Sequence, residues 1–281
     1  MRLPAIDHHN RRAFLGMMSV GLAVAITGCS SDDTTNSVNP APNGVPPATD
    51  TSANAIPVAT RPLPPIPPPH PGPSVKVDHA PIAGHKIVLT VDDGDNADVV
   101  AGYVDFVRRT GIHLTFSPNG TYAHSWAPHA DIIKPLVANQ QVQVMNHTFS
   151  HLDLRKMTDA KITEELERND EWVQQHFGIT TRPYYRPPFG FHNAHIDGVV
   201  SGLGYTRTVM WNGSYSDSEI ITPQYLMQMA QKYLQPGVIL LGHANHPTVL
   251  GLFDQLTALI KQRDLTPVTL DEMFGTSRAI G

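Results

Sequence analysis

The sequence predicts an α/β fold, an incomplete or distorted (β/α) barrel. Three observations predict it. From about residue 75 onward, short apolar runs alternate with helical patterns, as expected for βαβ units around a parallel sheet. The polar residues able to carry chemistry fall at the C-terminal ends of those apolar runs, the edge where active sites form in such folds. The span, about 200 residues with six or seven units, is small for a full eight-fold barrel.

The elements follow in order. Lys86–Val91 is an apolar, β-branched run and reads as a buried strand. Residues 98–109 form a helix with Val99, Val100, Tyr103, Val104 and Val107 on one face, stopped by Gly111. Residues 112–116 make a second strand, 131–138 a short helix and 141–145 a third strand. Thr158 opens a long helix with Ile162, Leu166, Val173 and Phe177 inward, and Gly178 ends it. Tyr184 and Tyr185 make a fourth strand. A helix over 196–203, a strand over 206–211 and a helix over 223–234 come next. A strand over 238–241, a helix over 249–263 and a last strand over 268–270 complete the pattern. The domain is taken as residues 76–281.

What precedes it is different. Asn10-Arg11-Arg12-Ala13-Phe14-Leu15-Gly16 leads into an apolar run ending at Ile26-Thr27-Gly28-Cys29. A basic start, a short apolar core and small residues before a cut make residues 1–29 a signal peptide. The run is too short to span a bilayer comfortably. The paired arginines resemble a twin-arginine export signal, although Asn10 and Gly16 depart from its consensus. The Ile-Thr-Gly-Cys ending resembles a bacterial lipobox, which implies lipidation of Cys29. Cys29 is the only cysteine, so the domain is expected to have no disulfide. Residues 30–75 read as a disordered linker rich in Pro, Ser and Thr. Thirteen of the 25 prolines lie between Pro40 and Pro73. Residues 61–73 are expected to form a stiff spacer on the order of 40 Å long, at ~3.1 Å per residue.

The composition, 41% hydrophobic and 16% charged with a net charge of -5, fits a globular protein and not a nucleic-acid binder. Two stretches carry the chemistry. Thr90-Val91-Asp92-Asp93-Gly94 places two carboxylates at the end of a strand. Asn146-His147-Thr148-Phe149-Ser150-His151 places two imidazoles four residues apart at the end of another. One carboxylate and two histidines suffice for an open catalytic zinc site. The second carboxylate is then free to act as a base on water. Neither stretch decides alone, since Asp-Asp-Gly is commonly a polar turn and a lone H-x-x-x-H a solvated pair. Arg186, Trp211 and His243 end later strands on the same edge. His192, His195 and His246 read as surface or loop residues.

Taken together, these positions resemble the polysaccharide deacetylases of the NodB-homology type, carbohydrate esterase family 4. The resemblance covers roughly residues 80–275. Thr90–Gly94 resembles the family's T-F-D-D-G, His147–His151 its H-[ST]-x-x-H, and Arg186-Pro187-Pro188-Phe189-Gly190 its R-x-P-[YF]-G. Trp211 stands where the fourth motif has a tryptophan, and Leu241-Gly242-His243 resembles the closing L-x-H. The resemblance implies a distorted (β/α) barrel. It implies Asp92 as general base, with Asp93, His147 and His151 holding a divalent metal, zinc being the expected one. Arg186 would pair with Asp92, the Phe189 N–H would stabilise an oxyanion, and His243 would be the general acid. Pro188, Trp211 and Leu241 would shape the acetyl pocket.

One departure stands out. The fourth motif has carboxylates after its tryptophan, one of which orients the catalytic histidine. Here Ser214 takes the expected place, so either Asp217 serves or the partner comes from elsewhere. The resemblance implies a hydrolase of non-peptide C–N bonds acting on N-acetyl or O-acetyl groups of an envelope glycan, with peptidoglycan the first expectation and chitin or xylan alternatives. Two other readings are a glycan-binding surface lipoprotein with little activity and an amidohydrolase of a small amide. The expected protein is exported, attached to the membrane only through a lipid at Cys29, and monomeric.

Overall fold

The computed structural model describes residues 61–81 and 84–275. The signal peptide, Cys29 and residues 30–60 of the linker lie outside the described residues. The first elements are β1 (Val75–Val77), β2 (Lys86–Asp93), α1 (Ala97–Thr110), β3 (Leu114–Pro118), α2 (Ala123–Trp126), α3 (Ala130–Ala138) and β4 (Val142–Val144). Then come α4 (Asp159–Phe177), β5 (Tyr184–Tyr185), α5 (Ala194–Gly202), β6 (Arg207–Val209), β7 (Gly213–Ser214) and α6 (Pro223–Tyr233). β8 (Ile239–His243), α7 (Phe253–Gln262), β9 (Thr266–Val268) and α8 (Leu270–Phe274) complete the chain.

Every strand pairing is parallel. One sheet runs β4-β3-β2-β8-β7, with β9 also on β2, and the other runs β1-β6-β5. A bridge between Asn146 and Tyr185 joins the two. Beyond β6 the chain crosses back, and Asn212 N–H donates to the Ile239 carbonyl at 3.3 Å. The strands thus form an open, distorted barrel with their C-terminal ends on one edge.

The central strand shows how the sequence builds this. Ile87, Leu89 and Val91 pack into the large core between sheet and helices. Val88, on the other face, joins Met145, Tyr184, Val209 and Ile239 inside the barrel. That alternation is the period-2 geometry of a strand. It puts Thr90 and Asp92 on the inner face as well. The helices around it carry the predicted signals. Asn96 caps α1 by accepting from Asp98 and Val99, and Gly111 (φ 71°) ends it. Thr158 caps α4, and Gly178 (φ 76°) ends it.

Three expected elements differ. The helix expected over 249–263 is a 3-10 turn (Pro247–Gly251) followed by α7, because Leu252 (φ -120°, ψ -5°) interrupts it after Gly251. The last strand is Thr266–Val268, not 268–270. Thr269 and Glu272 form a capping box, which starts α8 at Leu270. The second strand sits two residues later than expected, which sets Ser117 level with Asp92. Residues 61–74 have no regular secondary structure. They touch the domain at Leu63, which packs on the core, and at Ser74, whose Oγ lies 3.2 Å from Thr208 Oγ1. No helix among the described residues is long and apolar enough to cross a membrane.

Gly94 follows the two carboxylates with φ 112°, and a Cβ there would lie 1.9 Å from Trp126 Nε1. That indole nitrogen donates to the Asp93 carbonyl at 2.8 Å. Gly94→Ala is therefore expected to cost about 2–4 kcal/mol, combining an unfavourable φ with a clash. Urea unfolding of variant and parent checks this; equal midpoints would contradict it.

Candidate active site

Adjacent residues of a strand point to opposite faces, so Asp92 and Asp93 should diverge. They do not, because Asp93 has left-handed backbone (φ 71°) at the strand's last position. Both carboxylates reach the same imidazole: His147 Nε2 lies 3.6 Å from Asp92 Oδ2 and 3.3 Å from Asp93 Oδ1. His151 Nε2 is 3.5 Å from the same Asp93 oxygen. The ligand atoms of Asp93, His147 and His151 all lie within 4.8 Å of one another.

The loop carrying the histidines is not helical despite their spacing. Thr148 (φ 66°) and His151 (φ 53°) are left-handed, which folds the two rings to a centroid distance of 4.9 Å. Buried amides hold this shape. Asn119 Nδ2 donates to the carbonyls of His147 (2.6 Å) and Thr148 (2.9 Å). Asn146 Oδ1 accepts from the Thr148 N–H at 2.9 Å, and its Nδ2 donates to the Tyr205 hydroxyl at 2.8 Å. His147 Nδ1 lies 2.9 Å from the Arg186 carbonyl, which can only accept. Nδ1 therefore carries the proton and Nε2 keeps its lone pair for a metal.

Asp92 sits between Arg186 and Ser117. Arg186 Nη1 donates to Asp92 Oδ1 at 2.8 Å, and Ser117 Oγ donates to the same oxygen. Arg186 is fully buried, and its other bonds go to Thr90 Oγ1 (2.9 Å) and the carbonyls of Val209 (3.2 Å) and Met210 (3.3 Å). On the neighbouring strand, His243 is level with Asp92. Its Nδ1 lies 2.9 Å from Asp217 Oδ1, and its N–H donates to Asp217 Oδ2 at 3.1 Å. Asp217, not Ser214, is the carboxylate on this histidine. Ser214 Oγ accepts from the Ser216 N–H at 2.9 Å, and Ser216 is left-handed (φ 58°), a turn that leads into Asp217.

Electrostatics follow the geometry. Burial would raise the Asp93 carboxyl, but His147, His151 and His243 outweigh it and hold it well below the usual carboxylate range. Burial, then the charge of His147, pushes His151 down to about 4. For His147 burial lowers the pKa, yet Asp92 and Asp93 raise it more. For His243 burial again lowers it, and the Asp217 carboxylate carries it above the usual histidine value.

The remaining predicted residues lie around this centre. The Phe189 ring is 4.5 Å from that of His151, and Phe189 is left-handed (φ 59°). Pro188 and Leu241 are buried, and the Arg186 guanidinium is 5.6 Å from the half-buried Trp211 ring. His192 and His195 pair with Asp197 and Asp159, and His246 Nε2 lies 3.3 Å from the Ser218 carbonyl; none of the three belongs to the centre. Sequence reasoning missed Ser117, Asn119 and Asn245. Asn245 Nδ2 donates to Asp93 Oδ2 at 2.7 Å, while its Oδ1 accepts from the N–H groups of Gly94 (3.3 Å) and Asp95 (3.1 Å). Its place two residues beyond a strand-ending histidine was the available signal.

The centre fits a divalent metal. Asp93 Oδ1 is buried and accepts no hydrogen bond, yet it faces two imidazole nitrogens. An unpaired buried carboxylate oxygen is costly unless a cation takes it. Two nitrogens and one oxygen suit zinc and leave positions for water and substrate.

A site of this kind on an open (β/α) barrel has relatives. The family model described as polysaccharide deacetylase matches residues 80–208. A peptidoglycan-N-acetylglucosamine deacetylase, PgdA of Listeria monocytogenes, is 27% identical over 214 residues, 74% of this chain and 43% of that protein. The chain thus spans less than half the length of that relative. The solved structure of another peptidoglycan N-acetylglucosamine deacetylase superposes with a TM-score of 0.64 at 22% identity, covering 73% of this chain and 95% of that one. A family 4 carbohydrate esterase pseudoenzyme from Bacillus anthracis superposes at 0.62 with 17% identity, covering 71% of this chain and 68% of that one. Residues 80–208 thus carry a polysaccharide deacetylase domain. Its fold is shared with solved carbohydrate esterase family 4 proteins, the group that its sequence motifs resemble.

Because Asn245 occupies one oxygen of Asp93 and leaves the other unpaired, Asn245→Ala is expected to weaken the affinity for an added divalent ion such as zinc about 10–100-fold. Competition against a chromogenic chelator measures this; an unchanged affinity would remove Asn245 from the metal site.

Proposed function

We propose that the protein is a metal-dependent deacetylase that removes N-acetyl groups from a cell-envelope glycan, with peptidoglycan the first substrate to try. The observation that carries this is the unpaired Asp93 oxygen between two imidazoles, beside a second carboxylate that is held back from ligation. The related structures include both a deacetylase and a pseudoenzyme, so the fold does not decide activity. What supports activity is that a residue for each proposed role is present in this chain.

When bound, a zinc ion supplies Lewis acidity, polarising an acetyl carbonyl and acidifying water. Asp93, His147 and His151 hold it. Asp92, fixed by Arg186 and Ser117, accepts the proton of the attacking water. The Phe189 N–H donates to the developing oxyanion, a contribution of about 3–4 kcal/mol for one such donor. His243, held at Nδ1 by Asp217, gives a proton from Nε2 to the departing amine. Pro188, Trp211 and Leu241 form the wall against the acetyl methyl. In this reading residues 1–29 export the chain and Cys29 anchors it, which places the centre among large envelope substrates.

Acetate release from N-acetylglucosamine oligomers and from peptidoglycan tests the proposal, run as purified, after chelation and after zinc is restored. Release that stops on chelation and returns with zinc is expected. Release that ignores chelation, or stoichiometric zinc with no release from any acetylated glycan, would contradict it, the second result favouring a glycan-binding protein.

His243→Ala is expected to lower kcat by about 10²–10⁴-fold, the usual worth of a general acid. The acid form of His243 is present below its pKa and lost as pH rises through it. Asp217 raises that pKa. Asp217→Asn should therefore move the alkaline limb of the kcat profile to lower pH. A limb that stays in place would show that another group supplies the proton.

A further inference from the structure

Phe189 and Phe191, 56% and 40% exposed, are the only exposed phenylalanines among the described residues. They stand together at the lip of the centre, ring centroids 5.7 Å apart, with Phe189 the one against His151. Neither belongs to a core cluster. The Arg155 guanidinium lies 3.6 Å from the Phe191 ring centroid. Asp153 grips that guanidinium through Nε (2.9 Å) and Nη2 (2.8 Å). The turn beneath the rings is tight: Gly190 N–H donates to the Pro187 carbonyl at 3.0 Å, and Phe191 N–H to that of Pro188 at 3.1 Å. Two aromatic planes are thus fixed in place on a surface where burial does not hold them.

We propose that Phe191, with Arg155 and the Phe189 ring, forms a subsite for a second sugar ring, next to the one that carries the reacting acetyl group. This rests on the deacetylase reading. A pyranoside with equatorial substituents has an apolar C–H face and a rim of hydroxyls. The apolar face stacks on an aromatic plane, and the rim meets the Arg155 and Asp153 heads. A phosphate or other small anion is a poor occupant, because the guanidinium is already paired with a carboxylate. Continuity argues for a sugar: the shelf adjoins His151 through Phe189, so a chain that presents an acetyl group to the metal carries its next ring across this lip. The rings are preordered, so little is lost in fixing them. Contacts to a sugar remote from the reacting bond can be expressed in kcat as well as KM.

The test uses the full, zinc-loaded chain and compares kcat/KM for N-acetylglucosamine with that for its β-1,4-linked oligomers of two to five units. The parent is expected to prefer the oligomers by at least tenfold. Phe191→Ala should reduce that preference about 5–20-fold, and Phe191→Trp should keep it. An unchanged preference in Phe191→Ala would overturn the subsite, and so would an equal loss on monomer and oligomer, which marks a merely structural role. If the parent turns over no substrate, the deacetylase reading fails, and calorimetric binding of the pentamer decides the subsite: weaker binding by Phe191→Ala supports it, equal binding overturns it.

Discussion

The buried pair between Arg186 and Asp92 is the interaction on which the rest of the structure depends. A guanidinium with no solvent exposure must find a partner for nearly every donor. Arg186 does so by reaching from the end of β5 to Thr90 and Asp92 on β2 and to the carbonyls at the end of β6. The barrel is open, and backbone bonds bring its two sheets together by Asn146, near Asn212 and between Ala80 and Gly237. Arg186 ties them at the active edge. It also separates the two carboxylates: Arg186 and Ser117 both hold Asp92 Oδ1, whereas Asp93 Oδ1 accepts no hydrogen bond.

The division of labour between two adjacent carboxylates is a backbone matter. A regular strand would send Asp93 away from Asp92. Left-handed backbone at Asp93, Thr148, His151 and Phe189 instead turns these four positions toward one centre. Such conformations cost energy for side chains with a Cβ and persist where the surroundings impose them. Here the imposing groups are amides: the buried Asn119 and Asn146 under the histidine loop and the half-buried Asn245 beside Asp93. These amides thus fix the side chains of Asp93, His147 and His151 near one another, as a preorganised site requires.

Much of this was legible in the sequence because strand ends mark themselves. Asp92, Asp93, His147, Arg186 and His243 each close an apolar run, and parallel topology brings those ends together. The amides were not legible, since a single Asn has no periodicity and its partners are backbone atoms far along the chain. Asp217 was an open alternative, because the turn through Ser216 that delivers it depends on a single hydrogen bond to Ser214. The helix break at Leu252 and the capping box at Thr269 were lost to hydrophobic patterning, which ran on through both.

The central claim is that Asp93, His147 and His151 share one divalent ion. X-ray absorption at the zinc edge of the loaded protein tests it most directly. The account predicts one zinc per chain, with two histidine nitrogens at about 2.0–2.1 Å and protein and water oxygens filling the rest of the shell. A shell with a single imidazole or with more than two, or a zinc content that survives Asp93→Ala unchanged, would contradict it.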